Sequence, residues 1–120
     1  MDGSVVPSPE GAQRRRRLLI LVVAYEAEGS IASVLSRIPD EIPGVDPSVL
    51  VLDDGSLDGT FEAALATISR HPVHILRNPR NQGYGGNQKI GYHYALANGF
   101  DHVALIHGDG PQLHQQCHTH

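Results

Sequence analysis

Four short apolar runs alternate with amphipathic segments along the chain, and this alternation constrains the fold more than any other feature. The runs predict strands because they are rich in Leu, Ile and Val and lack polar alternation, as expected when both faces of a sheet are covered. The predicted strands are residues 18–23, 49–52, 73–76 and 102–106. Their βαβαβαβ order predicts an α/β fold, a parallel sheet with flanking helices and right-handed crossovers.

The segments between the strands predict three helices, because apolar residues recur there at helical spacing. The predicted helices cover residues 31–38, 61–68 and 87–97. Ser30 and Asp58 stand just before the first two and have the side chains of typical N-caps. Each helix would connect two consecutive strands, as parallel pairing requires.

The composition fits one globular domain that does not depend on disulfides. The 120 residues are 40% hydrophobic and 18% charged, and a chain of this length is expected to form a single core. The formal charge of -4 gives no general attraction to nucleic acid. Cys117 is the single cysteine, which excludes an internal disulfide and favours a cytoplasmic location.

The two ends of the chain differ from the part between them. Residues 1–17 carry Pro, Gly and Ser followed by four arginines, which predicts a disordered basic leader. One alternative is a signal peptide, although the apolar run 18–24 has seven residues, far fewer than the roughly 20 that span a bilayer. Another is a peripheral contact of the arginines with anionic lipid at the inner face of the membrane.

Residues 113–120 are predicted to be an unstructured tail. They contain the pattern H-x-x-C-H-x-H, formed by His114, Cys117, His118 and His120. These residue types suit Zn2+. A cluster at a terminus with no core after it is, however, more typical of an unstructured end.

Polar or aromatic residues follow three of the four predicted strands. Tyr25 comes after the first strand, Asp53 and Asp54 after the second, and Asp109 after the fourth. Parallel α/β sheets bind ligands outside the carboxyl ends of their strands. The sequence therefore predicts a binding site at this edge of the sheet.

The chemistry of these residues leaves alternatives open. Asp109 lies between two glycines, so Mg2+ or Mn2+ could approach its carboxylate closely; a solvated turn is the alternative. Asp53 could accept a hydrogen bond from a ligand N–H, such as that of a nucleobase. Asp54 could instead close the turn that follows it. Tyr25 could pack against a base or sugar, or be an ordinary half-buried aromatic residue.

The loop "NQGYGGNQK", residues 81–89, is rich in glycine. It fits neither the P-loop pattern nor a dinucleotide-binding pattern after a first strand. Its backbone N–H groups and the start of the next helix could still face an anion, with Lys89 as a partner. Alternatively, the glycines only permit close packing of the helix on the sheet.

Three segments together resemble the family 2 glycosyltransferases, in particular the branch of polyprenyl-phosphate and dolichol-phosphate mannosyl- and glucosyltransferases. The segments are "VVAYEAEGSI", "VLVLDDGSLDGT" and "RNQGYGGNQKIGYHYALANGFDHVALIHGDG". The resemblance covers residues 18–112 and implies the N-terminal, nucleotide-sugar-binding part of a GT-A fold, with a Rossmann-like layer. It further implies a nucleoside-diphosphate sugar donor, Mg2+ or Mn2+, and a polyprenyl phosphate or envelope glycan as acceptor.

The resemblance also implies roles for individual residues. Tyr25 and Asp53 would contact the nucleoside, and Asp54 would line the same pocket. Asp109 would be the remaining aspartate of the D-x-D-type motif that holds metal and diphosphate. His107 occupies the first position of that motif, a substitution that recurs in this branch.

The chain departs from the family pattern at two places that bear on function. The strand-one motif P-x-Y-N-E is replaced by V-A-Y-E-A, with Glu28 nearby, and Pro111 precedes Gln112 after the D-x-D-type motif. The acceptor half of the family, which holds the catalytic base, would lie beyond this point. The alternative to a working transferase is therefore an inactive, truncated nucleotide-binding or interaction module that self-associates through its exposed sheet edge.

Overall fold

The computed structural model describes residues 15–67 and 71–108, in which strands and helices alternate. The strands are β1 (Arg16–Ala24), β2 (Val45–Asp53), β3 (Val73–Arg77) and β4 (His102–His107). The helices are α1 (Ile31–Ser36), α2 (Thr60–Leu65) and α3 (Gly83–Ala97). All strand pairs are parallel, in the order β3-β2-β1-β4, so the predicted α/β fold with a parallel sheet is confirmed.

The sheet is covered on both faces, which explains why its central strands lack polar alternation. Ile20 and Val22 of β1 pack into one apolar cluster with residues of α1 and α2. Leu19 and Leu21 point to the other face and pack with Ala95 of α3. Each central strand thus buries alternate side chains in two separate cores.

Helix α3 lies close to the sheet because a glycine faces β1. A Cβ atom added to Gly91 would come within 2.3 Å of a methyl carbon of Leu21. Since this distance is far below van der Waals contact, only glycine allows this separation between helix and sheet. The prediction of close packing concerned the glycines of residues 81–89, and Gly91 lies two residues beyond that loop.

Several element boundaries differ from their predicted positions. β1 begins at Arg16, ahead of the predicted residue 18, because Arg16 and Arg17 continue the pairing with β2. The backbone N–H of Arg17 also donates to Asp101 at 2.8 Å, and its guanidinium lies over the ring of Phe100. α1 and α2 end at Ser36 and Leu65, earlier than predicted.

The order of the strands creates a switch point between β1 and β4. The chain runs from β1 outwards to β3 and then crosses to the opposite side of β1 to form β4. Ligands of such sheets bind outside the carboxyl ends of the strands at this point. Residues 1–14 and 109–120, which include most of the predicted leader, Asp109 and the predicted tail, lie outside the described residues.

No helix in the described parts of the chain combines the length and the apolar character that crossing a membrane requires.

Candidate functional site

The carboxyl ends of β1, β2 and β4 meet at one side of the molecule, which we call the carboxyl edge. The ladder continues one residue beyond the strands, since Asp54 N–H donates to the Ala24 carbonyl and Gly108 N–H to that of Val23, each at 2.8 Å. Tyr25, Asp53, Asp54 and His107 therefore lie along the same edge, as the sequence predicted for three strand ends. Tyr25 is 44% exposed there.

Asp53, the last residue of β2, is fully buried. One carboxylate oxygen accepts a hydrogen bond from the backbone N–H of Ser56 at 3.1 Å. The other lies 3.4 Å from Nε of Arg77, whose side chain is 43% exposed. A ligand N–H that bound this carboxylate would have to replace Arg77 at the second oxygen.

Asp54 is also buried and holds the start of α3. Its Oδ1 accepts from the backbone N–H of Gln82 at 2.6 Å and its Oδ2 from that of Gly83 at 3.1 Å. These two groups are the N-cap and the first residue of α3, where backbone N–H groups lack intrahelical partners and carry partial positive charge. Asp54 thus supplies the anion at this helix terminus.

This contact explains why α3 begins at Gly83 and not at residue 87, where its start was predicted. Gly83 has a φ of 76°, a conformation that glycine adopts readily. The segment between the two positions is poor in residues that favour helix, with glycine at 83, 85 and 86. A cap supplied from β2, far away in the sequence, stabilises a turn that local propensity does not predict.

Opposing effects set the pKa of Asp54. Burial raises it, but hydrogen bonds from the N–H groups of Gln82 and Gly83 and from the side chains of Asn78 and Asn87 outweigh this effect and lower the pKa below its ordinary value. Hydrogen bonds of this kind favour the charged form. Asp54 is therefore an ionised carboxylate at neutral pH.

Two asparagines complete this network, and sequence reasoning did not identify them. Asn78 donates from Nδ2 to Asp54 at 3.1 Å and to the side-chain oxygen of Asn87 at 2.8 Å. Asn87, fully buried within α3, donates in turn to the carbonyl of Gly83 at 2.8 Å. The sequence offers no clear signal, because Asn87 stands at the predicted start of this helix, where asparagine is common.

The loop after β1 is fixed to the loop after β2 through two glutamates. Glu26 donates its N–H to the Ser56 hydroxyl at 2.8 Å and accepts from Leu57 N–H at 2.9 Å. Glu28 accepts from Gly59 N–H at 3.0 Å. Where the family motif has P-x-Y-N-E, the carboxylates of this chain thus hold the two loops together. This arrangement fixes the backbone that follows Tyr25.

The two predicted N-cap residues have different outcomes. Asp58 is not the N-cap of α2, because that position is Gly59. The Asp58 carboxylate accepts from the hydroxyl and the N–H of Thr60, and these contacts lower its pKa. Ser30 does occupy the N-cap position of α1, but its hydroxyl donates to the carbonyl of Gly108 at 3.0 Å. Asp58 therefore supports the start of α2 without being its N-cap, whereas Ser30 contacts Gly108 at the carboxyl edge.

His107 ends β4 beside the start of α3. Its ring stacks on that of Tyr84, with centroids 5.5 Å apart and planes inclined by 16°. The Nε2 atom of His107 is buried and has no hydrogen-bond partner among residues 15–67 and 71–108. A buried polar atom without a partner is rare in proteins and is often explained by a bound ion, water or ligand.

The remaining residues predicted for the site are Asp109 and Lys89. Asp109 lies outside the described residues, and the part of the chain that is described holds no group of three or more His, Cys, Asp or Glu residues suited to a metal ion. Lys89 is exposed on α3, about 9 Å along the helix axis from Gly83. Gly83 and Gly85 have nothing within 4 Å of an added Cβ, so they do not serve close packing.

Comparison with known proteins identifies similar sequences. The family model described as Glycosyl transferase family 2 matches residues 19–110. An undecaprenyl-phosphate mannosyltransferase of Micrococcus luteus is 33% identical over 101 residues, which are 83% of this chain and 41% of that protein. A polyprenol monophosphomannose synthase of Mycolicibacterium smegmatis is 27% identical over 104 residues, 85% of this chain and 38% of that protein.

A third relative matches a smaller part of this chain. A dolichol-phosphate mannosyltransferase of Pyrococcus furiosus is 27% identical over 67 residues, 56% of this chain and 19% of that protein. The chain thus spans about two fifths or less of the length of the curated relatives that it matches.

Proposed function

This chain belongs to glycosyl transferase family 2, and on that basis we propose that its carboxyl edge binds a nucleoside-diphosphate sugar for transfer of the sugar to a polyprenyl phosphate. The parallel sheet with helices on both faces is the Rossmann-like layer that a GT-A fold uses to hold a nucleotide. The lipid acceptor is proposed from the names of the relatives.

The observation that carries the proposal is the meeting of three strand ends at the switch point, with their loops fixed by internal hydrogen bonds. Asp54 and the two asparagines hold the start of α3. The glutamates hold the loop that carries Tyr25. Fixed loops suit binding because little conformational freedom is lost when the ligand arrives.

The residues of this edge have distinct proposed roles. The exposed ring of Tyr25 would pack against the base or sugar. Asp53 would accept an N–H of the nucleoside in place of Arg77, which occupies that oxygen at 3.4 Å. Asp54 would line the pocket through the helix start that it holds, and Lys89 would add positive charge for the diphosphate.

Two residues at and after the end of β4 support the proposal of a divalent cation. Nε2 of His107, which has no partner among the described residues, would be one donor, and Asp109 follows two residues later in the sequence. We propose that these two residues hold Mg2+ or Mn2+, which would neutralise negative charge on the diphosphate leaving group. Of the two ions Mn2+ suits an imidazole ligand better, since Mg2+ prefers oxygen.

An inverting transfer also needs a general base on the acceptor hydroxyl or phosphate. The chain spans 41% of the first relative and 38% of the second, and we assign no base among its residues. If the transfer occurs on polyprenyl phosphate, the chain would work at a membrane surface, where an acceptor of this kind resides.

Calorimetric titration with UDP- and GDP-sugars, with and without Mn2+, tests the proposal. We expect metal-dependent heat with one donor, and loss of that heat in Asp109→Ala. Asp46→Ala is the matched control because Asp46 is exposed near the start of β2, far from the carboxyl edge. Absence of heat with every donor would refute the donor site. Binding without transfer to undecaprenyl phosphate would instead identify a nucleotide-binding module.

A further inference from the structure

The stacked rings of Tyr84 and His107 join two elements that are far apart in sequence. Tyr84 lies in the first turn of α3 and His107 at the end of β4. The rings are nearly parallel, at 16°, with 5.5 Å between centroids. Since His107 pairs with Val23 of β1, this contact lies beside the switch point.

The backbone that carries Tyr84 is held firmly. Its neighbour Gly83 donates its N–H to the Asp54 carboxylate and accepts at its carbonyl from Asn87. Gly85, on the other side, has open space around it. The backbone position of Tyr84 is thus set by a buried network, and an added Cβ on the next residue would meet none of the described atoms.

The His107 ring differs from Tyr84 in how its position is held. Its Nε2 atom is buried and makes no hydrogen bond within the described part of the chain, so no described residue fixes the ring through this nitrogen. Contact with the flat face of a neighbouring ring restricts rotation of the imidazole about its side-chain bonds. The Tyr84 ring supplies that contact.

We propose that Tyr84 is a positioning residue, which holds the His107 imidazole in the orientation from which Nε2 binds the diphosphate part of the donor, directly or through a cation. The inference rests on the proposed function for its ligand. Tyr84 itself need not touch the donor. Its ring acts through the imidazole, and its hydroxyl is not required.

A double-mutant cycle on the full chain tests this role. The dissociation constants of GDP and UDP, each with Mn2+, are measured for wild type, Tyr84→Ala, His107→Ala and the double variant. We expect Tyr84→Ala to weaken binding by about three- to tenfold, the range expected for loss of one aromatic pair. In the His107→Ala background the same change should have no effect, and Tyr84→Phe should bind like wild type.

A measurement without ligand separates positioning from binding. Proton and nitrogen NMR signals of the His107 ring are assigned among the eight histidines by their loss in His107→Ala. The ring proton shift caused by the adjacent aromatic face should persist in Tyr84→Phe and disappear in Tyr84→Ala. Urea midpoints of all variants, followed by circular dichroism, establish that each one is folded.

The outcomes distinguish this inference from the proposed function. If wild type binds neither GDP nor UDP, the donor site and the ligand of this inference both fail. If wild type binds one of them but Tyr84→Ala weakens binding equally with and without His107, then Tyr84 acts structurally and only this inference fails. An unchanged His107 signal in Tyr84→Ala would overturn it as well.

Discussion

Asp54 follows β2 and His107 ends β4, and both lie at the carboxyl edge of the sheet. The fold uses the two side chains in opposite ways. The two Asp54 oxygens accept hydrogen bonds from Asn78, Gln82 and Gly83. Nε2 of His107 is also hidden from solvent, but no residue that the structure describes forms a hydrogen bond with it. The difference shows that a carboxylate at a strand end can serve the protein's own backbone, and it is the basis for our proposal that the His107 imidazole binds the ligand.

The comparison predicts that the two residues differ most in their contribution to stability. Asp54→Ala leaves three donors without their acceptor and removes the anion from the start of α3, so we expect the free energy of unfolding to fall by about 3 kcal/mol. His107→Ala removes no hydrogen bond from Nε2 and should lower it by about 1 kcal/mol. Urea denaturation followed by circular dichroism measures both values, since the chain has no tryptophan.

Equal losses in these two variants would break the comparison, because His107 would then be as much a structural residue as Asp54. Asp54→Asn is a useful intermediate. It keeps the shape of the side chain but replaces one acceptor oxygen by a donor that faces backbone N–H groups.

The close packing around Asp54 predicts the next largest effect. Gly55 and Gly44 both have a positive φ, 79° and 82°, so alanine is strained at either position. A Cβ on Gly55 would also lie 3.0 Å from the backbone nitrogen of Asn81 and 3.1 Å from the carbonyl carbon of Arg80, whereas Gly44 has nothing within 4 Å. We expect Gly55→Ala to lower the free energy of unfolding by about 2 kcal/mol and Gly44→Ala to lower it by about 1 kcal/mol.

Both substitutions introduce backbone strain. The difference between their losses in free energy of unfolding therefore measures how tightly Gly55 packs against Arg80 and Asn81. Equal losses by urea denaturation would mean that this side can relax around a methyl group. The contrast with the open surroundings of Gly85 would then be smaller than the structure indicates.

The ionisation of Asp54 predicts a smaller effect that depends on pH. Its pKa is lowered in the folded chain, so its stabilising contribution is complete above the ordinary carboxyl pKa of about 4 and is lost as the pH falls through the lowered value. The urea midpoint of wild type should therefore fall more steeply below pH 4 than that of Asp54→Asn. Asp58→Asn is a control for the other carboxylate with a lowered pKa.

Parallel profiles for wild type and Asp54→Asn below pH 4 would contradict the assigned role of the charge. The hydrogen bonds would then stabilise α3 equally well with a neutral side chain, and the positive end of the helix would contribute little.

The sequence predicts the sheet and the general position of the site because both depend on local patterns. Apolar runs such as those of β1 and β2 indicate buried strands, and parallel order brings their carboxyl ends together. The start of α3 could not be predicted in this way, since Asp54 caps it from a distant strand. The same holds for Tyr84 and His107, whose contact depends on tertiary packing.

Binding of the nucleotide sugar stays a prediction for Tyr25, Asp53, Lys89 and Asp109. They rest on residue type and order along the chain, and the structure adds the exposure of Tyr25 and the burial of Asp53. Burial of Asp53 with Arg77 at one of its oxygens is a tertiary feature, and no spacing in the sequence indicates it.

Gly85→Ala is expected to have the smallest effect on stability. It tests the start of α3, which carries the ring stacked on His107. Gly85 is helical, and an added Cβ would meet nothing within 4 Å, so alanine should stabilise α3 by about 0.5–1 kcal/mol through its better helix propensity. Gly86→Ala is the control, because its Cβ would approach that of Gln82 at 2.9 Å and offset the gain. If the open space at Gly85 receives the donor, Gly85→Ala should also weaken nucleotide binding while it raises the urea midpoint. A variant that gains stability and keeps its full affinity would mean that the donor lies elsewhere along the carboxyl edge.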